Sequence, residues 1–360
     1  MQFINLQAQY RKYKEEIDFK IQNSLNTSSF IGGYELEVLN KNLANFCNVK
    51  HAYGCSNGTD ALLIALKALD IKAGDEIITT PFSFIATSEM ISFLGAKPVF
   101  VDIDENDYNI DISQVEKAIT EKTKAVLAVS IFGQMPNLLE LKKICDANNL
   151  YLIEDAAQSY GAKDSFNNYS CSIAHISTTS FFPSKPLGCY GDGGGLFTND
   201  ENLANTINLL INHGSTKRYM HEIIGLNARL DTIQAAVLNV KLKYFQDEIN
   251  TRQILAKRYD QNLKNCITPK IKDGYLSVYA QYSVRVENKD KIIEKLSKNG
   301  IPTAVHYPIP LHLQPCFQYL GYKKGDFKIC EKVCDEILSL PFSAFLTEEE
   351  QERVIEAFNA

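Results

Sequence analysis

Lys185 lies in a segment that is unusual for a surface lysine. It stands between Pro183 and Pro186, follows two phenylalanines and precedes a glycine-rich run at residues 191–195. The two prolines fix their backbone φ angles and stiffen the turn that carries the amine. A lone lysine is most often a solvated charge, but this setting favours a lysine whose amine is held in place. Such an amine can form a Schiff base with an aldehyde.

An acidic residue earlier in the chain supplies a second chemical group. Asp155 follows the apolar run 151–153 after one residue, Glu154, and by itself it is equally well explained as a helix cap. Together with Lys185 it meets the needs of pyridoxal phosphate (PLP). The lysine binds the cofactor aldehyde, and the acid keeps the pyridine nitrogen protonated so that the ring can accept electrons. The pair therefore predicts an enzyme that uses PLP.

Residues 56–60, with the sequence Ser-Asn-Gly-Thr-Asp, open a predicted helix. Free backbone N–H groups and the helix dipole at such a position favour a phosphate. A plain N-cap and turn is the better interpretation of this segment alone, and the presence of Asp155 and Lys185 reverses that preference. Phe84 follows a strand-like run, so its ring could stack on a pyridine, although core packing is the better interpretation of this residue alone.

Two further segments carry candidate substrate contacts. Asn227 and Arg229 place an amide and a guanidinium two residues apart, and arginine binds carboxylates such as those of glutamate with two hydrogen bonds. A surface ion pair between Arg229 and Asp231 is the alternative. A proline-stiffened loop at residues 304–312 carries three further candidate contacts: His306, Tyr307 and His312. A zinc site is not expected there, because no cysteine or acid stands at ligand spacing.

Composition and charge exclude several other classes of protein. The 360 residues carry a formal net charge of -6 and no basic cluster, so a nucleic-acid partner is not expected. Nine cysteines are dispersed without a Cys-x-x-Cys pair, which predicts reduced thiols and a cytoplasmic location. The N-terminus has no secretory pattern, and no apolar run approaches the length of about 18 residues that a membrane span needs.

Short apolar runs alternate with helical patterns between about residues 50 and 210. The runs are rich in β-branched residues and cover 76–80, 98–102, 125–130 and 151–153. Helical patterns cover 60–69 and 138–148. This alternation predicts an α/β fold with a mostly parallel sheet covered by helices on both faces. Ligands of such sheets bind at the carboxyl ends of the strands, where Asp155 is expected.

A long polar helix is predicted at about residues 231–264, and it bridges to a second region that mixes a strand-like run at 279–286 with a helix near 289–299. We therefore expect a large domain over residues 1–245, which holds the cofactor, and a smaller C-terminal α/β domain over residues 246–360. The N-terminal segment could pack with the small domain.

The order of these motifs resembles the DegT/StrS-type sugar-nucleotide aminotransferases, which are fold type I (aspartate aminotransferase-like) PLP enzymes. The resemblance spans nearly the whole chain. It is carried by Asn57, Gly58, Thr59, Phe84, the motif at 154–158, the motif at 180–185, Asn227 and Arg229. Family members that carry out dehydration replace the lysine with histidine. This chain keeps Lys185, so the resemblance implies transamination.

The resemblance also implies a role for each motif residue. Lys185 would bind the cofactor aldehyde, Asp155 the pyridine nitrogen, and Gln158 would lie near the ring hydroxyl. Phe84 would stack on the ring. The phosphate would be held by Gly58, Thr59 and Ser180, joined by Asn227 from a second subunit. A homodimer with shared active sites is therefore expected.

Within the family, the segments 180–194, 280–282 and 304–311 most resemble the enzymes that aminate C3 of a UDP-linked 2-acetamido-2-deoxy-3-keto-hexuronic acid, with L-glutamate as donor. Arg229 could then serve both the glutamate and the sugar carboxylate. One alternative is an aminotransferase for a dTDP-linked 3- or 4-keto-6-deoxyhexose. Another is a non-catalytic PLP-binding regulator, although no basic or appended segment for a further module is present. An α/β binding protein without a cofactor is disfavoured by the Asp155 and Lys185 pair.

Overall fold

The strands of the computed structural model, which describes residues 1–360, form one large sheet and two small ones. In chain order they are β1 (His51–Cys55), β2 (Glu76–Thr79), β3 (Lys97–Phe100), β4 (Thr123–Val129), β5 (Tyr151–Asp155), β6 (Ile176–Ser180), β7 (Gly194–Thr198), β8 (Ser215–Lys217), β9 (Met220–His221), β10 (Tyr282–Arg285) and β11 (Ile337–Leu340).

Eleven α-helices surround these sheets. They are α1 (Leu6–Asn26), α2 (Tyr34–Cys47), α3 (Gly58–Ala68), α4 (Ala86–Phe93), α5 (Ile112–Ala118), α6 (Leu138–Ala147), α7 (Glu201–Ile211), α8 (Thr232–Asn262), α9 (Lys289–Lys298), α10 (Lys328–Glu336) and α11 (Glu348–Asn359). Short 3₁₀ turns cover Ile131–Gly133, Leu311–Leu313 and Pro315–Leu320. None of the helices is both long enough and apolar enough to cross a membrane.

The large sheet has seven strands in the order β1-β7-β6-β5-β4-β2-β3. All of them run parallel except β7, which is antiparallel to both of its neighbours. Alternate residues of each strand face opposite sides, so Ile77 and Ile153 join one buried core while Ile78 and Leu152 join another. The predicted mostly parallel sheet covered on both faces is confirmed.

Two strand boundaries differ from the sequence prediction in a way that matters for the site. β5 extends to Asp155, so this residue is the last of the strand rather than the first after it. β10 begins only at Tyr282, because Tyr279 has a φ of 44°. The amides of Val278 and Ala280 bond instead to the carbonyls of Gly133 and Phe132. This segment is therefore hydrogen-bonded to the 3₁₀ turn at Ile131–Gly133, which follows β4, and is not part of β10.

The predicted division at 245/246 lies inside the uninterrupted helix α8. A third core, built from residues between 255 and 358, covers one face of the small β10–β11 sheet, and it supports a separate C-terminal unit. The amide of Phe342 bonds to the carbonyl of Phe3, which links the N-terminal segment to that unit. Phe317 and Val333, however, join the core of the large sheet. The division into two domains stays a prediction.

Candidate active site

A cavity of about 690 Å³ opens at the carboxyl ends of the parallel strands. Its floor is formed by the ends of β4, β5 and β6, and its rim by the segments that follow β1 and β2. Nine of the residues proposed from the sequence line it: Gly58, Thr59, Phe84, Asp155, Gln158, Ser180, Lys185, His306 and Tyr307. Residues as far apart in the chain as Gly58 and Tyr307 thus meet in one cavity.

Asp155 presents a buried carboxylate to this cavity, with 6% of its surface exposed. The Thr87 hydroxyl donates to Oδ2 at 2.8 Å, and the backbone N–H of Ala157 donates to Oδ1 at 3.1 Å. Burial raises the pKa of the carboxyl group, and these two hydrogen bonds and the Lys185 ammonium oppose that rise. The carboxylate is therefore fixed in orientation and retains acceptor capacity toward the cavity. Thr87 was not identified from the sequence, which holds no signal for it.

Lys185 stands in the loop that joins the antiparallel strands β6 and β7. Its backbone N–H donates to the carbonyl of Phe182 at 2.8 Å. The loop is so tight that a Cβ on Gly188 would lie 2.7 Å from the same carbonyl oxygen. Burial lowers the pKa of the Lys185 amine, and the Asp155 carboxylate opposes that shift. A depressed pKa favours the neutral amine, which is the nucleophilic and basic form.

Helix α8 clamps this loop from below. The fully buried Lys241 donates from Nζ to the carbonyl of Gly188 at 2.6 Å and lies 4.4 Å from the ring centroid of Tyr190. Gln234 brackets the Tyr190 backbone, accepting from its N–H at 2.8 Å and donating to its carbonyl at 3.2 Å. Burial lowers the pKa of Lys241 to about 8. The loop position of Lys185 thus depends on two polar residues of α8.

A second group of residues joins the two sides of the cavity. Gln158 is buried; its Oε1 accepts from the backbone N–H of Phe132 at 2.8 Å, and its Nε2 donates to the Tyr307 hydroxyl at 3.0 Å. Burial raises the pKa of Tyr307. The Phe84 ring is 55% exposed, and its centroid lies 6.3 Å from that of Tyr307. An exposed ring at the mouth of a cavity is free to cover a flat ligand.

The start of α3 forms a tight cradle against the ends of β6 and β7. A Cβ on Gly58 would lie 2.8 Å from Cβ of Ser180, and one on Gly194 would lie 2.4 Å from the carbonyl of Asn57. The first N–H groups of α3 have no partner within the helix. The glycine run at 191–195 thus allows a close approach of two backbone segments, and its last two residues, Gly194 and Gly195, are the first residues of β7.

Three of the proposed residues do not line the cavity. Asn227 and Arg229 lie outside it, and Arg229 donates from Nε and NH2 to the side-chain oxygen of Asn227 at 3.1 and 2.8 Å. No ion pair forms between Arg229 and Asp231. His312 is buried away from the cavity, with Nε2 3.1 Å from a carboxylate oxygen of Glu331. The prolines of the loop at 304–312 could not show from the sequence whether His312 binds a ligand or is a structural residue.

The model of the DegT/DnrJ/EryC1/StrS aminotransferase family matches residues 11–359. The chain belongs to this family. It is 44% identical to the UDP-2-acetamido-2-deoxy-3-oxo-D-glucuronate aminotransferase of Pseudomonas aeruginosa, over 96% of either chain. It is also 43% identical to a pleiotropic regulatory protein of Geobacillus stearothermophilus, over 98% of this chain and 96% of the relative. Transaminases named for dTDP-linked amino sugars match at 35% and 37% identity.

Solved structures support the same conclusion about fold. NtdA from Bacillus subtilis, crystallised with bound cofactor PMP, superposes with a TM-score of 0.91 at 31% identity. The match covers 99% of this chain and 84% of NtdA. The fold predicted from the family resemblance, an α/β aminotransferase fold with a mostly parallel central sheet, is therefore confirmed.

Proposed function

We propose that this protein is a PLP-dependent aminotransferase that moves an amino group from L-glutamate to a nucleotide-linked keto-sugar. The observation that carries the proposal is the placement of Lys185 and Asp155 on one cavity, with the pKa of the lysine lowered and the carboxylate buried. Bound PLP would supply an aldehyde that captures amines and a ring that takes up negative charge.

The residues of the cavity fit this cofactor. Asp155 offers a fixed, buried acceptor to a protonated pyridine nitrogen, and the Phe84 ring is free to stack on the pyridine. Gly58 lies so close to Ser180 that the first backbone N–H groups of α3 are next to the Ser180 side chain, which suits a phosphate held by Gly58, Thr59 and Ser180. Gln158 lies on the same cavity, near the place proposed for the ring hydroxyl.

The proton transfers fall to Lys185. Its Nζ takes the proton from Cα of the amino donor and later delivers a proton to the sugar carbon that receives the amine. Both tasks need an amine that is neutral part of the time, and burial lowers its pKa in that direction. Lys241 and Gln234 hold the backbone of the loop that carries Lys185, at Gly188 and Tyr190.

The finer substrate assignment is C3 of UDP-2-acetamido-2-deoxy-3-keto-hexuronic acid. The similarity to the Pseudomonas aeruginosa enzyme supports it. We also propose a homodimer in which Asn227 and the Arg229 bonded to it reach the cavity of the second subunit. There Asn227 would bind the phosphate and Arg229 a carboxylate. His306 and Tyr307 would contact the sugar from within the same chain, whereas His312 is left out because it is buried elsewhere.

Two alternatives have support among the relatives. The dTDP-sugar transaminases favour a 3- or 4-keto-6-deoxyhexose as acceptor. The Geobacillus stearothermophilus relative favours a regulator that binds PLP without turnover. A regulator has no need of a base with a depressed pKa, whereas transamination does. The cytoplasmic location inferred from the cysteines stays a prediction.

A spectral titration of the PLP-loaded protein tests these possibilities. L-Glutamate should remove the visible band of the lysine-bound cofactor, and the UDP-linked 3-keto-hexuronate should restore it. Restoration only by a dTDP-linked keto-sugar would move the substrate and keep the reaction. A band that glutamate leaves in place would favour the regulator. Lys185→Ala should lose the band altogether, and the exposed Lys298→Ala serves as the matched control.

A further inference from the structure

Two serines are cross-strand neighbours on one face of the small β10–β11 sheet. Ser283 and Ser339 are paired in register, are 1% and 0% exposed, and their hydroxyl oxygens lie 2.8 Å apart. Their strand neighbours Val284 and Leu338 point to the opposite side, into the apolar C-terminal core. Burying a hydroxyl group is unfavourable unless it is hydrogen-bonded. Two buried hydroxyl groups that bond to each other still carry one hydroxyl proton that needs a further acceptor.

The partner is His306. Its Nδ1 lies 2.9 Å from the Ser339 hydroxyl oxygen, so the three side chains form a chain of hydrogen bonds from Ser283 to the imidazole. The backbone holds this contact in place. The N–H of Ala304 donates to the carbonyl of Ser339 at 3.2 Å, and the N–H of Ser339 donates to the carbonyl of Ala304 at 2.8 Å. His306 lines the active-site cavity, and its Nε2 has no hydrogen-bond partner in the chain.

The donor-to-acceptor direction of this row of hydrogen bonds follows from the number of protons that its groups carry. If Nδ1 carried the proton, it would donate to Ser339, Ser339 would donate to Ser283, and the Ser283 hydroxyl would have no protein acceptor within reach. In the opposite direction Ser283 donates to Ser339 and Ser339 donates to Nδ1. Every buried hydroxyl proton is then used, and an unpaired buried donor is avoided. The proton of the neutral ring is left on Nε2.

The neutral state of the ring is consistent with its surroundings. Burial, and after it the nearby Lys185 ammonium, lower the pKa of His306 to about 4. A cationic imidazole would donate from both nitrogens, and the Ser339 hydroxyl cannot accept a hydrogen bond from Nδ1 while it donates to that same nitrogen.

We propose that Ser283 and Ser339 are positioning residues that hold His306 as the tautomer with the proton on Nε2, so that this N–H donates a hydrogen bond to an acceptor oxygen of the nucleotide-linked sugar. The ligand in this inference rests on the proposed function, whereas the tautomer does not. His306 then binds and orients the sugar and takes no part in proton transfer, which stays with Lys185.

Nitrogen NMR of the PLP-loaded protein, labelled at the ring nitrogens of its six histidines, tests the tautomer directly. The two His306 signals are assigned by their loss in His306→Gln. We expect an unprotonated Nδ1 and a protonated Nε2 in the native protein. Ser339→Ala should shift the ring toward a mixture of tautomers, and Ser339→Thr, which keeps the hydroxyl group, should restore the native pattern. A proton on Nδ1 in the native protein would overturn the proposal.

Steady-state kinetics test the ligand. Ser339→Ala should raise KM for the keto-sugar about three- to tenfold, the effect of one weakened hydrogen bond, and should change kcat less than KM. A rise in KM for L-glutamate instead would contradict the assignment to the sugar. Ser24→Ala, which removes a buried serine hydroxyl from α1, is the matched control.

The two kinds of failure are distinguishable. If the protein does not aminate any keto-sugar, the proposed function fails while the NMR result for His306 still stands. The native spectrum also decides the tautomer if Ser339→Ala does not fold. Ser283→Ala provides a milder change, because it leaves the contact between Ser339 and His306 in place. We expect it to keep the native tautomer with a smaller rise in KM, and a larger rise than that of Ser339→Ala would contradict the order of the chain.

Discussion

Glu154 and Asp155 are adjacent carboxylates on β5 that lie in two different regions of the molecule. Both are buried, and burial raises the pKa of both. Glu154 points to the face away from the cavity, where its carboxylate accepts four hydrogen bonds. The donors are the hydroxyl groups of Ser130, Ser170 and Ser177 and the backbone N–H of Cys171, at 2.7 to 3.1 Å. Asp155 accepts two and faces the cavity.

The difference shows what separates a structural carboxylate from a reactive one. The two residues are similar in type, in position along the chain and in depth of burial. Strand alternation nevertheless places them on opposite faces of the sheet. The number of donors also differs between them. Glu154 is fully satisfied within the chain, whereas Asp155 keeps acceptor capacity for a ligand. The pair therefore provides its own internal control.

The largest expected effect is that of Asp155→Asn on activity. The amide cannot balance the charge of a protonated pyridine nitrogen, so kcat/KM for transamination should fall roughly 1000-fold, the scale of a lost electrostatic partner in an active site. Removing a buried charge should at the same time leave the cofactor-free protein no less stable. Steady-state kinetics and thermal unfolding measure the two effects. Activity within tenfold of the native protein would contradict the role of Asp155.

Glu154→Gln should give the opposite pattern. The new amide nitrogen would face donors rather than acceptors, so we expect a loss of about 2 kcal/mol in the free energy of unfolding. Activity per folded molecule should change little. Urea unfolding of the cofactor-free protein measures the loss. Unchanged stability would mean that Glu154 is already protonated near neutral pH and that the four donors do not require its charge.

Thr87→Val sharpens the comparison from the side of the donors. It removes the hydroxyl that donates to Asp155 at 2.8 Å while keeping the shape of the side chain. We expect kcat to fall about fivefold, which corresponds to the loss of one hydrogen bond of about 1 kcal/mol. Thr87→Ser keeps the donor and should recover most of the rate. Equal losses in the two variants would point to packing rather than to the hydroxyl.

The remaining effect concerns the pH dependence of stability. His306 has an ordinary pKa of 6.5 and a folded-state pKa of about 4, so the unfolded chain binds more protons between these values. Its contribution to stability is full above pH 6.5 and is lost as the pH falls toward 4. The two carboxyl groups, whose pKa values are raised, act in the opposite sense. His306→Gln should therefore flatten the loss of stability between pH 6.5 and 4, as measured by urea unfolding. A curve as steep as that of the native protein would contradict this.

The parts of the site that the sequence could predict share one property: they are residues whose type is unusual for its local setting. A lysine between prolines and an aspartate at the end of an apolar strand stand out in the sequence, and both face the cavity. The α/β fold was predictable for a similar reason, because apolar periodicity changes along the chain between strand and helix spacing.

Residues that act through distant contacts could not be predicted. Lys241 looks like a solvated residue of a polar helix until α8 is placed beneath the Lys185 loop. Ser283 and Ser339 look like ordinary strand serines, since nothing local shows that they meet each other and His306. Conversely, His312 had the same local signals as His306, and only burial against Glu331 separates the two. Long-range partners decide these cases.

Helix α8 has a mechanical consequence. Its 31 residues span roughly 46 Å. They include Lys241, which contacts the carbonyl of Gly188, and Leu255 and Tyr259, which belong to the C-terminal core. A stiff rod of this kind transmits force and cannot serve as a hinge. A shift of the C-terminal core would therefore also move the backbone of the loop that carries Lys185. A chain cut between residues 245 and 246 should lose stability when its two fragments are mixed, because the cut interrupts this helix.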